Sequence, residues 1–442
     1  MGILNGVKFS IYVQGCRTNQ YEGEAIAAAL EAEGAVRSGT LPEVVVIVSC
    51  TVTATADSKC RKLIRRARRE HPDAVIAVCG CYAQKMTEEE RVRLGADIVA
   101  GNRLKHMLPG LIEKSLGGSG PSFIKSSDLK NNTDWDALSL DRPRLHTRAF
   151  LKVQDGCAHC CAYCIVPSVR GKPVSRQIED AAAEARRITE GGCPEIVLTG
   201  VHLGLYRDLP LLVRKIASLP GIKRIRFGSI EPFAVTDGLL RELADCEAFC
   251  RHLHMPLQSG DDGVLASMRR GYRAAEFAKI TEQARAILGE ELHISTDLMV
   301  GFPSEDEKAF ARSLDFVRGQ KFGKVHVFPY SPRSGTDAAA MPQQDEHAVR
   351  YRTEEALRLA SELHEAFCSR WIGRECVILT EETDGSYVRG LTGNYIRVTA
   401  KAHAEVNELV RAVPSKYLQE GLVTDESCAD AARRFRHSCD IS

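Results

Sequence analysis

The stretch Gly-Cys-Ala-His-Cys-Cys-Ala-Tyr-Cys-Ile-Val-Pro-Ser-Val-Arg-Gly, residues 156–171, gives the clearest indication of how this chain is organised. Cys157, Cys161 and Cys164 stand in a C-x3-C-x2-C spacing, which lets one loop wrap a single metal centre. Three soft thiolates so close together favour a [4Fe–4S] cubane over a hard cation. A cubane has four irons and each cysteine binds one of them, so three cysteines leave one iron without a protein ligand. An open iron can bind the amino and carboxylate groups of S-adenosylmethionine (SAM) and cleave it to a 5′-deoxyadenosyl radical.

Cys160 leaves a second interpretation open, because the loop also contains two C-x2-C pairs, Cys157 with Cys160 and Cys161 with Cys164. Such pairs occur in structural zinc sites, where about a dozen or more residues separate them so that two loops can close a tetrahedron. Directly adjacent pairs would strain that shell. The spacing also resembles the signature of radical-SAM enzymes, in which the position of Cys160 is not usually a ligand. We therefore expect Cys160→Ser to keep the cluster and Cys161→Ser to lose it.

Length and composition describe a protein of several domains without a membrane anchor. The chain has 442 residues, which predicts two or three domains, and its net charge is only +1. A nucleic-acid partner must therefore be held by local patches. Residues 1–10 lack the apolar core of a signal peptide, and no uncharged apolar run approaches membrane-spanning length. We expect a cytoplasmic protein whose sixteen cysteines are reduced and partly bound to metal.

The first hundred residues alternate between strand and helix patterns, which predicts an open α/β domain. The strand patterns cover residues 8–14, 44–48 and 74–78. Cys16, Cys50 and Cys81 each follow one of these strands, and ligands of open α/β sheets bind beyond the carboxyl ends of the strands. The three thiolates would form a second three-cysteine site with one iron open. Scattered cysteines are as typical of a protein core, so spacing alone does not decide between the two.

A strongly basic helix is predicted between the second and third of these strands. Residues 59–69 contain seven cations and no acid around a narrow apolar stripe. Such a run is often only a solvated face, but in a chain of balanced charge it also suggests a contact with phosphates. The candidate RNA-binding residues are Arg61, Arg65, Arg66, Arg68 and Arg69. We place the end of this domain at residue 115 and a Gly-, Ser- and Asn-rich linker at 116–142.

Residues 143–368 repeat a βα pattern, which predicts a partial (β/α)6 barrel with its ligands at the C-terminal face of the strands. The strand patterns cover 149–154, 195–199, 224–227, 253–257, 294–300 and 325–328. Glycines and polar residues around the later strands are candidate SAM contacts, although hydrogen bonds within the barrel would explain the polar residues nearly as well. These candidates are Gly191, Gly192, Glu195, Gly200, Glu231 and Gln258.

The last part of the chain, residues 369–435, has the pattern of a small antiparallel β-barrel. Residues of high β propensity recur between turn signals at Asp384-Gly385 and Gly393-Asn394. Small barrels of this kind commonly bind RNA.

With these residues in view, the sequence resembles the radical-SAM methylthiotransferases, and most closely the branch that modifies N6-threonylcarbamoyladenosine beside the tRNA anticodon. The N-terminal motifs that carry the resemblance are GCRTNQYE at 15–22, SCTVT at 49–53 and GCYAQ at 80–84. The barrel motifs are TGVHLG at 199–204, HLHMPLQSG at 252–260 and HVFPYS at 326–331. The second motif departs from the family pattern, because Val48-Ser49 replace the usual Asn-Thr before the cysteine.

The resemblance assigns roles to both cysteine sets. It implies two [4Fe–4S] clusters and SAM as cofactors, with the catalytic cluster on Cys157, Cys161 and Cys164. It implies that Cys16, Cys50 and Cys81 bind a second cluster that carries the sulfur, and it selects Cys81 over Cys79. The corresponding domains are an N-terminal methylthiotransferase domain at 1–115, a radical-SAM barrel at 143–368 and an RNA-binding TRAM domain at 369–435.

The activity implied by the resemblance is insertion of a methylthio group at C2 of N6-threonylcarbamoyladenosine at position 37 of tRNA. The implied partners are the tRNA anticodon stem-loop, an electron donor such as flavodoxin or ferredoxin, and a sulfur donor, with no membrane. One alternative is a methylthiotransferase that acts on isopentenyladenosine in tRNA or on a ribosomal-protein aspartate. Another is a non-catalytic RNA-binding protein with zinc sites.

Overall fold

The computed structural model describes residues 2–125, 129, 131, 133–143, 147–418 and 421–439. The predicted linker, barrel and C-terminal domain each include a few residues outside these ranges. The chain packs as two compact units. The first consists of Met1–Gly191, Leu198–Asp208 and Ser331–Met341, and the second of Gly192–Val197, Leu209–Tyr330 and Pro342–Ser442. The first unit therefore combines the predicted N-terminal domain with the start of the predicted barrel.

The N-terminal part of the first unit alternates strands and helices, as predicted. Its strands are β1 (Lys8–Val13), β2 (Val36–Arg37), β3 (Val44–Ser49), β4 (Val75–Gly80), β5 (Ile98–Ala100) and β6 (Ser122–Ile124). Its helices are α1 (Arg17–Ala32), α2 (Ala54–Glu70), α3 (Cys81–Lys85), α4 (Glu88–Leu94) and α5 (Leu108–Leu116). The strands form one parallel sheet in the order β2-β1-β3-β4-β5-β6.

The middle of this sheet is built from a continuous apolar run. Every residue of β3, Val-Val-Val-Ile-Val-Ser, is buried, because β1 and β4 pair with it on its two sides and helices cover its faces. One covering helix is α2, which contributes Cys60, Ile64 and Ala67 to the core. Since β1, β3 and β4 are adjacent and parallel, their carboxyl ends lie side by side at one edge of the sheet.

The first unit continues into the predicted barrel. It contains β7 (Ala149–Asp155), α6 (Val166–Arg170), β8 (Val174–Ser175), α7 (Ile178–Glu190) and the last residues of β9 (Glu195–Gly200). All seven residues of β7 are buried, and the strand pairs antiparallel with β8.

The stretch predicted as a linker is anchored to the first unit where the structure describes it. The Leu138 carbonyl accepts a hydrogen bond from the Tyr21 hydroxyl at 2.8 Å, and the Leu140 amide donates to Glu184 at 3.0 Å. The side chains of both leucines are buried, as is that of Asp136. The composition of this stretch predicted a linker. In the structure, two buried leucines and hydrogen bonds of the backbone fix the position of its C-terminal part.

The second unit contains the start of β9 and the later βα repeats. Its strands continue with β10 (Arg224–Phe227), β11 (His252–His254), β12 (His293–Val300) and β13 (Lys324–Pro329). The helices are α8 (Leu209–Ala217), α9 (Asp237–Ala244), α10 (Asp262–Ser267), α11 (Ala274–Leu288), α12 (Glu307–Gln320) and α13 (Glu346–Ser369). β11, β12 and β13 form a parallel sheet in that order. β11 is displaced toward the N-terminus from the predicted strand at 253–257.

The C-terminal sheet confirms the prediction of a small β domain. It contains β14 (Cys376–Thr383), β15 (Tyr387–Thr392), β16 (Arg397–Lys401), β17 (Leu409–Ala412), β18 (Lys416–Leu418) and β19 (Gly421–Val423), followed by α14 (Ser427–Cys439). The strand order is β17-β14-β15-β16-β19-β18. The pairs are antiparallel except for β16 with β19, which is parallel and was not predicted.

Two further observations concern membrane anchoring and disulfides. Within the described ranges, no helix combines the length and the apolar character that crossing a bilayer requires. No disulfide joins the cysteines whose side chains the structure describes.

Candidate metal centre

The loop after β7 holds the first three candidate ligands and is closed by backbone hydrogen bonds. The Cys157 amide donates to the Gly171 carbonyl, and the Cys164 amide donates to the Cys161 carbonyl, both at 3.0 Å. Cys157, Cys161 and Cys164 are half-buried, whereas Cys160 is exposed.

Gln154 fixes the start of this loop. Its Nε2 donates to the carbonyls of Asp155 and Gly156, at 2.9 and 2.8 Å, and its Oε1 accepts from the His202 amide at 2.7 Å. A Cβ placed on Gly200 would lie 2.8 Å from the Cβ of Gln154. Gly200 was predicted as a SAM contact because a missing side chain permits close approach. In the structure, the group that approaches it is Gln154.

The second candidate set lies at the carboxyl ends of β1, β3 and β4. Cys16 precedes the first residue of α1, Cys50 follows β3 directly, and Cys81 begins α3. Gly15 brings the first two cysteines together, because a Cβ at this position would lie 2.7 Å from the Cβ and 2.9 Å from the Sγ of Cys50. Its φ of +109° is also unfavourable for any other residue. The sheet thus gathers three cysteines that are far apart in the sequence.

The positions of these cysteines suit a cubane better than a single zinc ion. Among the residues that the structure describes, no group of three His, Cys, Asp or Glu side chains surrounds a point where one metal ion could bind. Thiolates on one zinc ion stand about 3.8 Å apart, given Zn–S bonds of about 2.3 Å and tetrahedral angles. A cubane does not require this convergence, since each thiolate binds a different iron. The soft donors in two sets of three fit such clusters.

Burial makes the thiols of Cys50 and Cys81 weak acids. Burial raises the pKa of Cys50 to about 12; the Val52 amide opposes this rise, and the neighbouring Cys81 and Cys16 add to it. Burial also raises the pKa of Cys81, and there the Arg170 guanidinium opposes the rise. Since the thiolate is the metal ligand, binding of a cluster must displace these protons.

Helix α6, which follows the cysteine loop, packs directly against Cys81. Ile165 and Val169 form one apolar cluster with Cys81. The Arg170 Nε donates to the Cys81 sulfur at 3.1 Å, and the Asn102 Nδ2 lies 3.6 Å from the same sulfur. Asn102 also donates to the Val169 carbonyl at 2.7 Å. Within the first unit, α6 therefore adjoins both cysteine sets. It follows the loop of the first set and packs against Cys81 of the second.

A buried network of three carboxylates and three cations includes Arg170, the last residue of α6. Its members are Glu22, Asp136, Asp155, Lys105, Lys152 and Arg170. Glu22 Oε1 lies 2.7 Å from Arg170 Nη1 and 2.8 Å from Lys152 Nζ. Burial alone would raise the pKa of Glu22, but the cations, Arg170 foremost, lower it to about 2. The opposite charges balance, as buried charges must.

Sequence reasoning did not identify this network. The available signal was that Lys152 lies within, and Asp155 directly after, the strand predicted at 149–154. Charges within a buried strand require partners. The partners lie in distant segments, so the sequence did not reveal which residues they are.

In the second unit, Gln258 is the SAM candidate with the clearest structural support. Its φ is +73°, which is unusual for a residue with a side chain, and its amide donates to the Asp297 carbonyl at 2.8 Å. The residue is only 7% exposed. Its Oε1 is buried and has no hydrogen-bond partner among the described residues. Because buried polar atoms are normally satisfied, we expect this oxygen to accept a hydrogen bond from a water molecule or a ligand.

Glu231 belongs to the same region of the second unit. Its Oε2 accepts a hydrogen bond from Arg270 Nη2 at 2.5 Å, and the same nitrogen donates to the Pro256 carbonyl at 3.1 Å. Arg270 therefore connects Glu231 to the loop that leads to Gln258. A carboxylate at this position can accept hydrogen bonds from the amino group or the ribose hydroxyls of a nucleoside cofactor.

The other three SAM candidates have structural roles that explain them. Gly191 follows α7, and a Cβ there would lie 2.9 Å from the Cβ of Arg142. Gly192 is exposed and has a φ of +87°. Glu195 is buried, 3.1 Å from the Nε of Arg226. All three precede or begin β9, whereas ligands bind beyond the carboxyl ends of such strands. The two glycines therefore reflect the end of a helix.

The five candidate RNA-binding arginines of α2 differ in availability. Arg68 is committed to the protein, because it donates to the Gly95 carbonyl at 3.1 Å and pairs with Asp97. The Arg61 guanidinium lies over the Tyr82 ring, 6.0 Å from its centroid. Arg65, Arg66 and Arg69 are exposed, although Arg66 and Arg69 each lie 3.6 Å from Glu70 and the Arg66 guanidinium lies 5.8 Å from the centroid of the Tyr12 ring. A phosphate-binding role suits these three best.

Two family models match the chain, one on each cysteine set. Residues 8–101, which include Cys16, Cys50 and Cys81, match the Uncharacterized protein family UPF0004. Residues 151–317, which include Cys157, Cys161 and Cys164, match the Radical SAM superfamily.

Relatives match over most of the length of the chain. Threonylcarbamoyladenosine tRNA methylthiotransferase MtaB of Bacillus subtilis is 35% identical over 94% of this chain and 95% of its own. The tRNA-2-methylthio-N(6)-dimethylallyladenosine synthase of Sphingopyxis alaskensis is 34% identical over 84% of this chain and 86% of its own.

A solved structure shows a similar fold at low sequence identity. The radical S-adenosylmethionine methyltransferase TsrM of Kitasatospora setae superposes with a TM-score of 0.56 at 12% identity, over 76% of this chain and 77% of its own. This similarity concerns the fold alone. The relatives and the family models confirm the resemblance noted in the sequence. The chain belongs to the methylthiotransferases of the radical SAM superfamily.

Proposed function

We propose that this protein is a tRNA-modifying enzyme that inserts a methylthio group at C2 of N6-threonylcarbamoyladenosine at position 37. The observation that carries the proposal is the similarity to Bacillus subtilis MtaB, which spans 94% of this chain and 95% of the relative. A match of this extent includes both cysteine sets and the C-terminal β domain. The activity is that of a transferase that uses SAM and two [4Fe–4S] clusters.

In this proposal, each cysteine set binds one cluster. Cys157, Cys161 and Cys164 would hold the catalytic cluster, and Cys16, Cys50 and Cys81 would hold the second. When bound, the clusters and SAM supply a carbon radical and a sulfur donor, which an unactivated C–H position requires. The hydrogen bonds of the first loop position its thiolates, and the packing of α6 keeps Cys81 buried.

The residues of the second unit would bind SAM. The unpartnered Oε1 of Gln258 can accept a hydrogen bond from an amino or hydroxyl group. Glu231, held by Arg270, can accept another. Gly191, Gly192, Glu195 and Gly200 remain predicted SAM contacts, which also have structural roles.

The tRNA would be bound by its backbone and by the modified base. An adenine that reacts inside a protein has to leave the stack of the anticodon loop, as RNA readers generally require. The exposed Arg65, Arg66 and Arg69 would contact phosphates. The C-terminal β domain, of the kind predicted to bind RNA, would add a second contact.

Further partners follow from the chemistry. Reductive cleavage of SAM requires an electron donor such as flavodoxin or ferredoxin, and repeated turnover requires a sulfur donor. We place these reactions, together with the tRNA, in the cytoplasm.

The deciding experiment is mass analysis of nucleosides from the tRNA of cells with and without this protein. Loss of the 2-methylthio-threonylcarbamoyl nucleoside is expected, and the threonylcarbamoyl nucleoside should accumulate. Complementation with the intact gene and with a Cys161→Ser variant gives the matched control.

A second candidate substrate is isopentenyladenosine, because the Sphingopyxis alaskensis relative is 34% identical over 84% of this chain. Loss of its 2-methylthio form instead would select this branch. Unchanged nucleosides would favour the ribosomal-protein substrate or a protein without catalysis.

A further inference from the structure

The side chain of Arg170 contacts the second cysteine set, and its helix, α6, follows the loop of the first. It is the last residue of α6, six positions after Cys164, and is 2% exposed. Its Nε donates to the Cys81 sulfur at 3.1 Å, its Nη1 to Glu22 at 2.7 Å, and its Nη2 to the Asn19 Oδ1 at 2.7 Å. All three nitrogens of the guanidinium are therefore hydrogen-bonded.

Asn19 extends this contact to the ends of two strands. Its Nδ2 donates to the carbonyls of Gln14 at 2.7 Å and Ser49 at 2.9 Å. These residues come shortly before Cys16 and Cys50, and the Cys16 sulfur lies 3.7 Å from the Asn19 Oδ1. Arg170 thus contacts one cysteine of the second set directly and is linked to the strand ends that carry the other two.

The carboxylates in the network fix the direction of the guanidinium. Glu22 accepts from both Nη1 and Nη2, and Asp155 also lies within 3.3 Å of Nη1. A planar guanidinium held at both ends by a carboxylate cannot rotate, so its Nε–H remains directed at Cys81. A lysine could balance the charge but could not keep this direction.

We propose that Arg170 is a positioning residue that sets the reduction potential of the cluster on Cys16, Cys50 and Cys81. The inference rests on the proposed function, because it presupposes that cluster. A hydrogen bond to a ligating sulfur, together with a nearby positive charge, stabilises the more negative, reduced state of an iron–sulfur cluster. Loss of the bond therefore lowers the potential.

The test requires a protein in which only the second cluster is present. The full chain with Cys157, Cys161 and Cys164 replaced by alanine provides it after anaerobic reconstitution. This background should retain about four irons. If it retains none, the proposed second cluster is wrong, whatever the role of Arg170.

The variant is Arg170→Lys in that background, and the measurement is a potentiometric titration followed by electron paramagnetic resonance. With iron retained, the reduced-to-oxidised ratio at a fixed potential should fall about tenfold, which is about 59 mV for a one-electron couple. The control is Arg176→Lys, which alters another buried arginine, paired with Glu184 at 2.6 Å. The control should leave the potential unchanged. An unchanged potential in Arg170→Lys as well would overturn the proposal.

A second variant covers the possibility that lysine at this position unfolds the protein. The double change Arg170→Gln with Glu22→Gln removes one cation and one carboxylate, so the buried charge stays balanced, and glutamine is too short to reach Cys81. A lowered potential in this variant supports the proposal. If both variants unfold while Arg176→Lys stays folded, Arg170 is needed for folding alone and the proposal is wrong.

Discussion

The two cysteine sets of this protein are built in opposite ways. Cys157, Cys161 and Cys164 lie in one loop, closed by hydrogen bonds between residues of that loop and the end of α6. Cys16, Cys50 and Cys81 come from the ends of three strands and meet only because β1, β3 and β4 are neighbours in one sheet. The first set depends on local spacing, and the second depends on the whole fold of the sheet.

This difference predicts how each set responds to change. A local loop tolerates changes elsewhere but is sensitive to any shift among its own cysteines. An assembled set also depends on residues that are not ligands, such as Gly15 and Arg170. Substitutions of ligands and of their neighbours separate these two kinds of dependence.

The largest effect is expected from the loop itself. Cys161→Ser should lose about four of about eight irons and all SAM cleavage, because it removes a ligand of the catalytic cluster. Cys160→Ser should retain both, since its side chain is exposed and outside the assigned register. Iron content and 5′-deoxyadenosine release are the measurements. The reverse pattern would move the register by one residue.

A change in the assembled set should uncouple the two halves of the reaction. Cys50→Ser is expected to lose about four irons and all methylthio product, yet to retain SAM cleavage at the other cluster. The matched control is Cys60→Ser, because Cys60 is also buried but lies on α2, where it packs in the core. Equal product from the two variants would show that Cys50 is a core residue.

Gly15→Ala tests the dependence of the assembled set on a residue that is not a ligand. A methyl group here would lie 2.7 Å from the Cys50 Cβ at a φ of +109°. We expect unfolding to require about 1–3 kcal/mol less free energy, with partial loss of the second cluster. Gly6→Ala, with a φ of +80° and no atom within 4 Å, is the control for backbone strain alone. Chemical unfolding and iron content should distinguish the two variants.

The same difference explains what the sequence could predict. The C-x3-C-x2-C loop is visible at once, because its chemistry depends on neighbours in the chain. The alternating patterns also predicted the sheet that brings Cys16, Cys50 and Cys81 to one edge. Spacing could not show whether these cysteines were ligands or core, and only the resemblance to a family favoured ligands.

The remaining features depend on contacts between distant segments. The pairing of Arg170 with Glu22 and Cys81 involves three segments whose proximity no local pattern encodes. Glycines next to β9 were interpreted as ligand contacts, but Gly191 ends a helix and Gly200 makes room for a side chain. A glycine signals close approach without identifying the group that approaches.

A smaller effect concerns the charge network beside the assembled set. The folded pKa of Glu22 is about 2, below its ordinary value of 4.5. A lowered pKa stabilises the fold above pH 4.5, and this contribution is lost as the pH falls through about 2. Between pH 4.5 and about 2, the free energy of unfolding of metal-free protein should therefore fall less steeply with decreasing pH in Glu22→Gln than in wild type.

The control for this experiment is Glu184→Gln. Burial raises the pKa of Glu184, so its titration has the opposite sign and cannot produce the acid-induced loss. Denaturant unfolding at several pH values is the measurement. An equal pH dependence in wild type and Glu22→Gln would show that other carboxylates determine the acid response.

The smallest effect should leave both cysteine sets intact. Each phosphate contact contributes about 0.7–0.9 to the slope of log affinity against log salt. Replacing Arg65, Arg66 and Arg69 by alanine should therefore reduce that slope for an anticodon stem-loop by about 2–3, with iron content unchanged. Arg68→Ala should instead weaken the fold and keep the slope, because Arg68 is bound to Gly95 and Asp97. If the triple variant keeps the slope, α2 is a solvated face, and the tRNA must be held elsewhere on the protein.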